Sequence, residues 1–112
     1  MVKIKIKPLS VNKVWRGRRF KTPEYKAYEK TLGYLLPAYY PIPEGKLSLD
    51  IEYGFSSVQS DVDNPTKPLL DILQKQYGFN DSRIYELSLK KQKVKKGEDY
   101  IMFTIKPFCD KI

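Results

Sequence analysis

Histidine is missing from this 112-residue sequence, and cysteine occurs once, at Cys109. The absence of histidine excludes Ser-His-Asp and Cys-His catalysis, an imidazole general base and nearly every zinc hydrolase site. A single cysteine excludes an intramolecular disulfide and any metal site built from several thiolates. Any chemistry therefore has to use carboxylates, lysine, hydroxyl groups or a hard cation.

Long apolar runs are missing as well. The first residues alternate lysine with valine or isoleucine, so we expect no secretory signal peptide. The longest apolar stretch, residues 35–42, is interrupted by Pro37 and Pro41 and is too short to span a bilayer. These features predict a cytoplasmic protein with no membrane partner.

Acidic residues are in the minority, since 13 Asp and Glu stand against 21 Lys and Arg, for a net charge of +8. An excess of this size on one small domain predicts an anionic partner, nucleic acid ahead of a membrane surface. Nine Tyr, five Phe and one Trp suit stacking on bases as well as filling a core. The alternative is that the charge only keeps the protein in solution.

Hydrophobic periodicity predicts the element order strand, helix, strand, helix, strand, strand. Residues 2–6 and 47–55 alternate apolar and polar side chains, as strands with one buried face do. Thr22 followed by Pro23 and Glu24 is typical of a helix N-terminus, and the apolar face of that helix holds Tyr25, Tyr28, Leu32 and Leu35. A second helix is predicted from Asn64 to Tyr77, with Gly78 as its exit.

The last two strands are predicted to form a hairpin whose turn is residues 95–98. Their inward side chains are predicted to be Tyr85, Leu87 and Leu89 on one strand and Ile101, Phe103 and Ile105 on the other. We therefore predict a single domain over residues 1–112 with an α+β fold in two layers, a four-stranded mixed sheet with two helices on one face.

Two carboxylates, Asp61 and Asp63, lie two residues apart where a loop is predicted to become a helix. Asp63 could simply be the N-cap of that helix, but an N-cap does not explain Asp61. In extended backbone, side chains at i and i+2 point the same way, so the pair can converge on one point. Asp81 follows the helix, and we expect it to return to the same end of the sheet as a third carboxylate.

Lys67 lies four residues after Asp63, away from the apolar stripe of its helix, and is free to point at whatever Asp63 binds. Its alternative role is a surface ion pair with Asp71. Converging carboxylates repel one another unless a cation lies between them, and hard oxygen ligands favour Mg²⁺ or Mn²⁺. These residues indicate a metal-dependent nuclease, and the alternative is a nucleic-acid-binding module without catalysis.

The stretch from Asp61 to Lys67, Asp-Val-Asp-Asn-Pro-Thr-Lys, is followed by Leu70-Asp71 and then Gly78-Phe79-Asn80-Asp81. This arrangement resembles the RusA family of Holliday-junction resolvases, which shows Asp-x-Asp-Asn-x-x-Lys, a further helical Asp, and a Gly-aromatic step into an acidic pair. The N-terminal residues Pro8, Ser10, Asn12 and Trp15 resemble the family's opening motif, and Arg16 to Arg19, Thr22 and Tyr28 follow in similar order. The resemblance covers nearly the whole chain.

The resemblance implies a homodimeric endodeoxyribonuclease, often encoded by phages or prophages, that acts in DNA recombination and repair in a bacterial or phage-infected cell. Such an enzyme resolves four-way DNA junctions by paired cuts that need Mg²⁺ or Mn²⁺. Carried over, Asp61, Asp63 and Asp81 are metal ligands, Lys67 is the catalytic cation, and Asn64 supports the metal or the DNA. This chain departs from the family at Asn80, where an acid is expected, and at Ser60, where a basic residue is common.

A basic segment, residues 9–21, has no periodicity and is predicted to be a loop. Trp15 or Phe20 could wedge into the open centre of a junction, although packing against the sheet edge explains Trp15 equally well. The residues expected to contact DNA are Asn12, Lys13, Trp15, Arg16, Arg18, Arg19, Lys21, Asn64 and Lys67.

Overall fold

A four-stranded mixed sheet forms the centre of the fold in the computed structural model, which describes residues 1–10, 15–16, 20–57 and 60–109. The strands β1 (Val2–Ile4), β4 (Leu47–Phe55), β5 (Ile84–Lys93) and β6 (Tyr100–Pro107) lie in the order β1-β6-β4-β5. β4 pairs parallel with β5 and antiparallel with β6. The most apolar strand therefore occupies an interior position, where both of its edges are hydrogen-bonded.

Two helices, α1 (Pro23–Leu35) and α2 (Thr66–Tyr77), pack on one face of this sheet. Thr22 caps α1, since its Oγ1 accepts the Tyr25 N–H at 3.1 Å. α2 ends at Gly78, whose φ of 70° is the left-handed conformation that glycine adopts without strain. The predicted α+β fold, with two helices on one face of a four-stranded mixed sheet, is confirmed.

The core lies between the helices and the inward side chains of β4 and β6. Tyr25, Tyr28 and Leu32 of α1 are buried as predicted. Leu35 is not, because α1 ends there and the chain turns so that Leu36 enters the core instead. Of the two helices in the part of the chain described, neither is long and apolar enough to cross a membrane.

The predicted hairpin of β5 and β6 is wrong. β6 crosses to the far side of β4, and β5 lies at the outer edge of the sheet beside β4 alone among the described strands. Tyr85 and Leu87, predicted to point inward, are 59% and 40% exposed, whereas Ile101, Phe103 and Ile105 are buried. The connection from β4 through α2 to a parallel neighbour explains this, since a strand-helix-strand unit places its second strand beside the first.

We predict the basic segment to be a loop, and the structure corrects this for part of it. Two short strands, β2 (Trp15–Arg16) and β3 (Phe20–Lys21), pair antiparallel with Trp15 opposite Lys21 and Arg16 opposite Phe20. A pair of two-residue strands is too short for hydrophobic periodicity to reveal.

Candidate nuclease site

The acidic loop, residues 60–65, joins the end of β4 to the start of α2. Asp61 and Asp63 both project from it into solvent. Lys91 Nζ on β5 donates to the Ser60 carbonyl at 2.9 Å, and the Thr66 N–H donates to the Asp63 carbonyl at 3.1 Å. Both ends of the acidic loop are thus tied to regular structure, which limits the positions that the two carboxylates can take.

Thr66 links the acidic loop to the core, because its Oγ1 lies 2.9 Å from the buried hydroxyl of Tyr53 on β4. The same Oγ1 donates to the Val62 carbonyl at 3.4 Å. Burial raises the pKa of Tyr53, so its hydroxyl stays protonated well above neutral pH. Tyr53 and Thr66 thus connect the acidic loop to the core. We did not identify either residue from the sequence, where the signal was a tyrosine hydroxyl at an inward-facing strand position.

Asn64 orients one of the two carboxylates. Its Nδ2 donates to Asp61 Oδ2 at 3.2 Å. Asn64 is half-buried, whereas Asp61 is exposed. The amide therefore holds one oxygen of Asp61 and leaves the carboxylate facing solvent, where a cation could approach.

A small cleft of about 70 Å³ lies beside Asp61. It brings the N-terminal motif into contact with the acidic loop, since Pro8 and Ser10 form part of its wall. The other residues of the wall are Phe55, Ser60, Asp61, Asn64 and Pro65. Two stretches about fifty residues apart in sequence thus meet at one place.

Asp63 is not the N-cap of α2, which corrects the first alternative above. The cap position is Pro65, with no side-chain hydrogen bond, and Asp63 contributes only its backbone carbonyl. The reason is local, because Pro65 disfavours helical backbone at Asn64, and the helix begins at Thr66. The Asp63 carboxylate makes no hydrogen bond or ion pair within the described ranges, which leaves it available as a ligand.

Lys67 points along α2 and away from the acidic loop. Its Nζ lies 3.3 Å from Asp71 Oδ1, with both side chains exposed. The surface ion pair named above as an alternative is therefore the arrangement that the structure shows. An exposed i,i+4 pair of this kind contributes only about 0.3–0.5 kcal/mol, so a phosphate could draw the ammonium away from it.

Asp81 lies at the other end of α2 from Asp61 and Asp63. It begins a 3₁₀ turn (Asp81–Arg83), and its N–H donates to Gln74 Oε1 at 2.8 Å. α2 has 12 residues, and with a rise of about 1.5 Å per residue its ends are roughly 17 Å apart. Our expectation that Asp81 returns to the same end of the sheet is wrong, because the helix carries the chain back to the start of β4.

The described residues of one chain bring no third carboxylate to Asp61 and Asp63. Among the described residues, no three Asp, Glu or Cys side chains lie close enough to hold a metal together. Asp61 and Asp63 still suit Mg²⁺, which binds through one or two carboxylates and keeps several of its waters. The pair thus fits a hydrated hard cation.

Most of the predicted DNA-binding side chains lie outside the part of the chain that the structure describes. Asn12, Lys13, Arg18 and Arg19 lie outside the described residues. For Trp15, Arg16 and Lys21 the structure describes the backbone in β2 and β3 but not the side chains. Their contacts with DNA remain predictions.

Comparison with known proteins gives one match over most of the chain. None of the curated proteins matches this sequence. A model of the family described as endodeoxyribonuclease RusA matches residues 6–106. The match spans the N-terminal motif, the acidic loop, α2 and the 3₁₀ turn that contains Asp81. The chain therefore belongs to the RusA family, whose members are endodeoxyribonucleases that act on Holliday junctions.

Proposed function

We propose that this protein is a Mg²⁺-dependent resolvase that acts in DNA recombination and repair. It resolves four-way DNA junctions by paired cuts, one on each of two strands. The observation that carries the proposal is the exposed Asp61 and Asp63 pair on an acidic loop tied down at both ends, in a chain of this family. Because the substrate is cellular DNA, we place the protein in the cytoplasm of a bacterium or of a phage-infected cell.

Asp61 and Asp63 would hold the metal ion, Mg²⁺ or Mn²⁺, with Asn64 keeping the Asp61 carboxylate in place. A bound divalent cation would activate the attacking water and shield the charge that develops on the phosphate. Lys67 would leave its exposed pair with Asp71 and stabilise the phosphate or the leaving oxygen. Its position in the first turn of α2 allows this, since the side chain is long and solvent-exposed.

We propose that Asp81 acts in the site of a second copy, as the third carboxylate. The length of α2 separates it from Asp61 and Asp63 of its own chain, which supports this assignment. A homodimer also suits the substrate, because a four-way junction has approximate two-fold symmetry and two identical sites can address opposing strands.

A second candidate function is binding of branched or single-stranded DNA without cleavage. It is favoured by the lack of a three-acid group among the residues that the structure covers. The net charge of +8 would supply the affinity in either case, through phosphate contacts that weaken as salt increases.

The two functions are separated by incubating the pure protein with a synthetic four-way junction, a linear duplex and a single strand, in EDTA or in Mg²⁺. We expect cuts in the junction alone, in Mg²⁺ alone, placed symmetrically on two opposing strands. Binding to the junction without cuts in Mg²⁺ or Mn²⁺ would favour the non-catalytic function. Equal cutting of all three substrates would rule out junction specificity.

A further inference from the structure

The outer edge of β5 is long and open. The strand has ten residues and pairs on one side with β4, and its other side has no neighbour among the described strands. Such an edge presents a row of unpaired backbone N–H and C=O groups, which proteins usually cover or protect. Two of its large apolar side chains, Tyr85 and Leu87, are 59% and 40% exposed. The edge therefore has both the backbone groups and the apolar surface of a pairing surface.

We propose that this edge pairs antiparallel with the β5 edge of a second copy, about a two-fold axis at Ser88. The proposal rests on the two-copy site of the proposed function and adds the surface and register of the contact. An antiparallel pair of identical strands is self-complementary, as a two-fold interface requires. The two four-stranded sheets would join into one continuous sheet.

Charge complementarity selects the register. An axis at Ser88 places Glu86 opposite the partner's Lys90, and by symmetry Lys90 opposite the partner's Glu86. Both side chains lie on the helix-free face, where Glu86 accepts from Ser48 Oγ at 2.7 Å and Lys90 lines a cavity with Ser88. On the other face Leu87 lies opposite the partner's Leu89. Opposite charges and apolar pairs directly across antiparallel strands stabilise the pairing.

The neighbouring registers lack this match. An axis at Leu87 sets Glu86 opposite the partner's Ser88 and Ile84 opposite the partner's Lys90, so neither of these charges of β5 finds an opposite one. An axis at Leu89 sets Leu87 opposite the partner's Lys91 and Glu86 opposite the partner's Gln92. Lysines on an exposed edge usually oppose pairing, so the register that neutralises Lys90 is the favourable one.

The same register also brings the partner's Asp81 towards the acidic loop, although only the charges and apolar side chains of β5 select the register. β5 runs parallel to β4, so its last residues lie at the end of the sheet that carries the acidic loop. In the proposed pairing the partner's Ile84 lies opposite Gln92, near that end. The partner's Asp81 precedes its β5 by three residues. Two separate observations, edge charge and helix length, thus lead to one arrangement.

A charge-swap experiment tests the interface by sedimentation velocity, without DNA or metal. Wild-type protein is expected at twice the chain mass of 13.1 kDa. Glu86→Lys or Lys90→Glu each creates two like-charge pairs, and we expect either variant to weaken dimerisation about tenfold or more. The double variant Glu86→Lys/Lys90→Glu restores opposite charges and is expected to dimerise like the wild type.

Lys30→Glu is the control, because Lys30 is exposed on α1 and the substitution makes the same charge change as Lys90→Glu. It is expected to leave the dimer intact, and circular dichroism verifies that every variant is folded. A monomeric wild type, unaffected single variants or an unrestored double variant would each overturn the proposal. A charge-swapped dimer that leaves junctions uncut would overturn the proposed function and keep the interface. If neither single substitution weakens the dimer and the dimer still cuts junctions, the interface is wrong and the proposed function stands.

Discussion

Lys67 is held in its observed position only by a weak, exposed ion pair. Its ammonium rests on Asp71 at 3.3 Å, and 64% of the lysine side chain is exposed to solvent. Solvent screens such a pair, so a phosphate held near Asp63 competes with Asp71 for the same charge. The exposed ion pair is therefore compatible with the catalytic role that we propose for Lys67.

We predict that Lys67→Met slows single-turnover junction cleavage by about 10²-fold, the usual cost of removing one group that stabilises transition-state charge. Asp71→Asn is the matched control, since it releases Lys67 from the ion pair and keeps the ammonium. That variant should cleave within about threefold of wild type, given the small value of an exposed pair. Wild-type rates for Lys67→Met would show that Lys67 has no catalytic role.

At the scale of single residues, part of the candidate site could be predicted from the sequence. The i,i+2 spacing of Asp61 and Asp63 was visible, and so was the placement of Lys67 off the buried stripe. The Asp63 cap was wrong because Pro65 moves the helix start to Thr66. The hydrogen bond from Tyr53 to Thr66 joins residues 13 apart and depends on the packing of α2 on β4, which spacing alone does not show.

Among the elements, β4 is the one on which the site depends. Its inward residues form the core, and its end leads into the acidic loop. On its other face Gly54 lies under the ring of Tyr100 from β6, and a Cβ there would be 2.3 Å from Tyr100 Cδ1. The Tyr100 hydroxyl donates to Glu52, and Lys3 Nζ lies 4.4 Å from the ring centroid. The ring therefore cannot move aside without losing contacts to β1 and β4.

We predict that Gly54→Ala lowers the free energy of unfolding by about 1–3 kcal/mol, as overpacking does. Gly33→Ala is the matched control, because its Cβ meets only Gln76 Oε1, at 3.7 Å, within 4 Å. Alanine in place of Gly33, in the last turn of α1, should instead stabilise, by up to about 1 kcal/mol. Urea denaturation of both variants measures the two values. Equal stability of Gly54→Ala and wild type would contradict this packing.

Periodicity predicted the elements better than their partners. It placed α1, β4 and the inward face of β6 correctly, because burial on one face leaves a repeat in the sequence. It failed for β5, where Tyr85 and Leu87 alternate as if inward and instead lie on an open edge. Alternation predicts that one face of a strand is buried. It does not tell whether the core of the same chain or the surface of a second protein buries that face.

For the whole molecule, the buried tyrosines set a limit on stability at high pH. Burial raises the pKa of Tyr25, Tyr28 and Tyr53, and the hydrogen bond to Glu52 raises the pKa of Tyr100 to about 12. In the unfolded chain tyrosine has a pKa near 10. Between these values the unfolded state binds fewer protons than the folded state, so stability falls as pH rises.

We therefore predict that tyrosine titration leaves the free energy of unfolding unchanged below about pH 10. From about pH 10 to 12 it should lower this free energy progressively. Denaturation at stepped pH, followed by circular dichroism, measures it. Tyr100→Phe should reduce the slope in that window, because one raised pKa is removed. A stability that stays level or increases up to pH 12 would contradict the burial of these hydroxyl groups.

Subunit mixing tests the placement of Asp81 in a second copy. Asp63→Asn and Asp81→Asn chains should each be inactive alone. Co-expressed, they form mixed dimers in which one site keeps both Asp63 and the partner's Asp81, so about a quarter of all sites should be complete. We expect single nicks in the junction at a corresponding rate. If Asp81 served its own chain, no site in any mixture would be complete and no nicks would appear.

The central claim is that the Asp61 and Asp63 pair performs metal-dependent cleavage of four-way junctions, and Asp63→Asn tests it most directly. The control is Asp50→Asn, which also removes one carboxylate but lies on the helix-free face, paired with Lys106. Cleavage and binding of a labelled junction are measured in Mg²⁺. We predict that Asp63→Asn loses cleavage by at least about 10²-fold and binds the junction as tightly as wild type or tighter, since one negative charge is gone. Asp50→Asn should keep both activities. Full cleavage by Asp63→Asn would contradict the account.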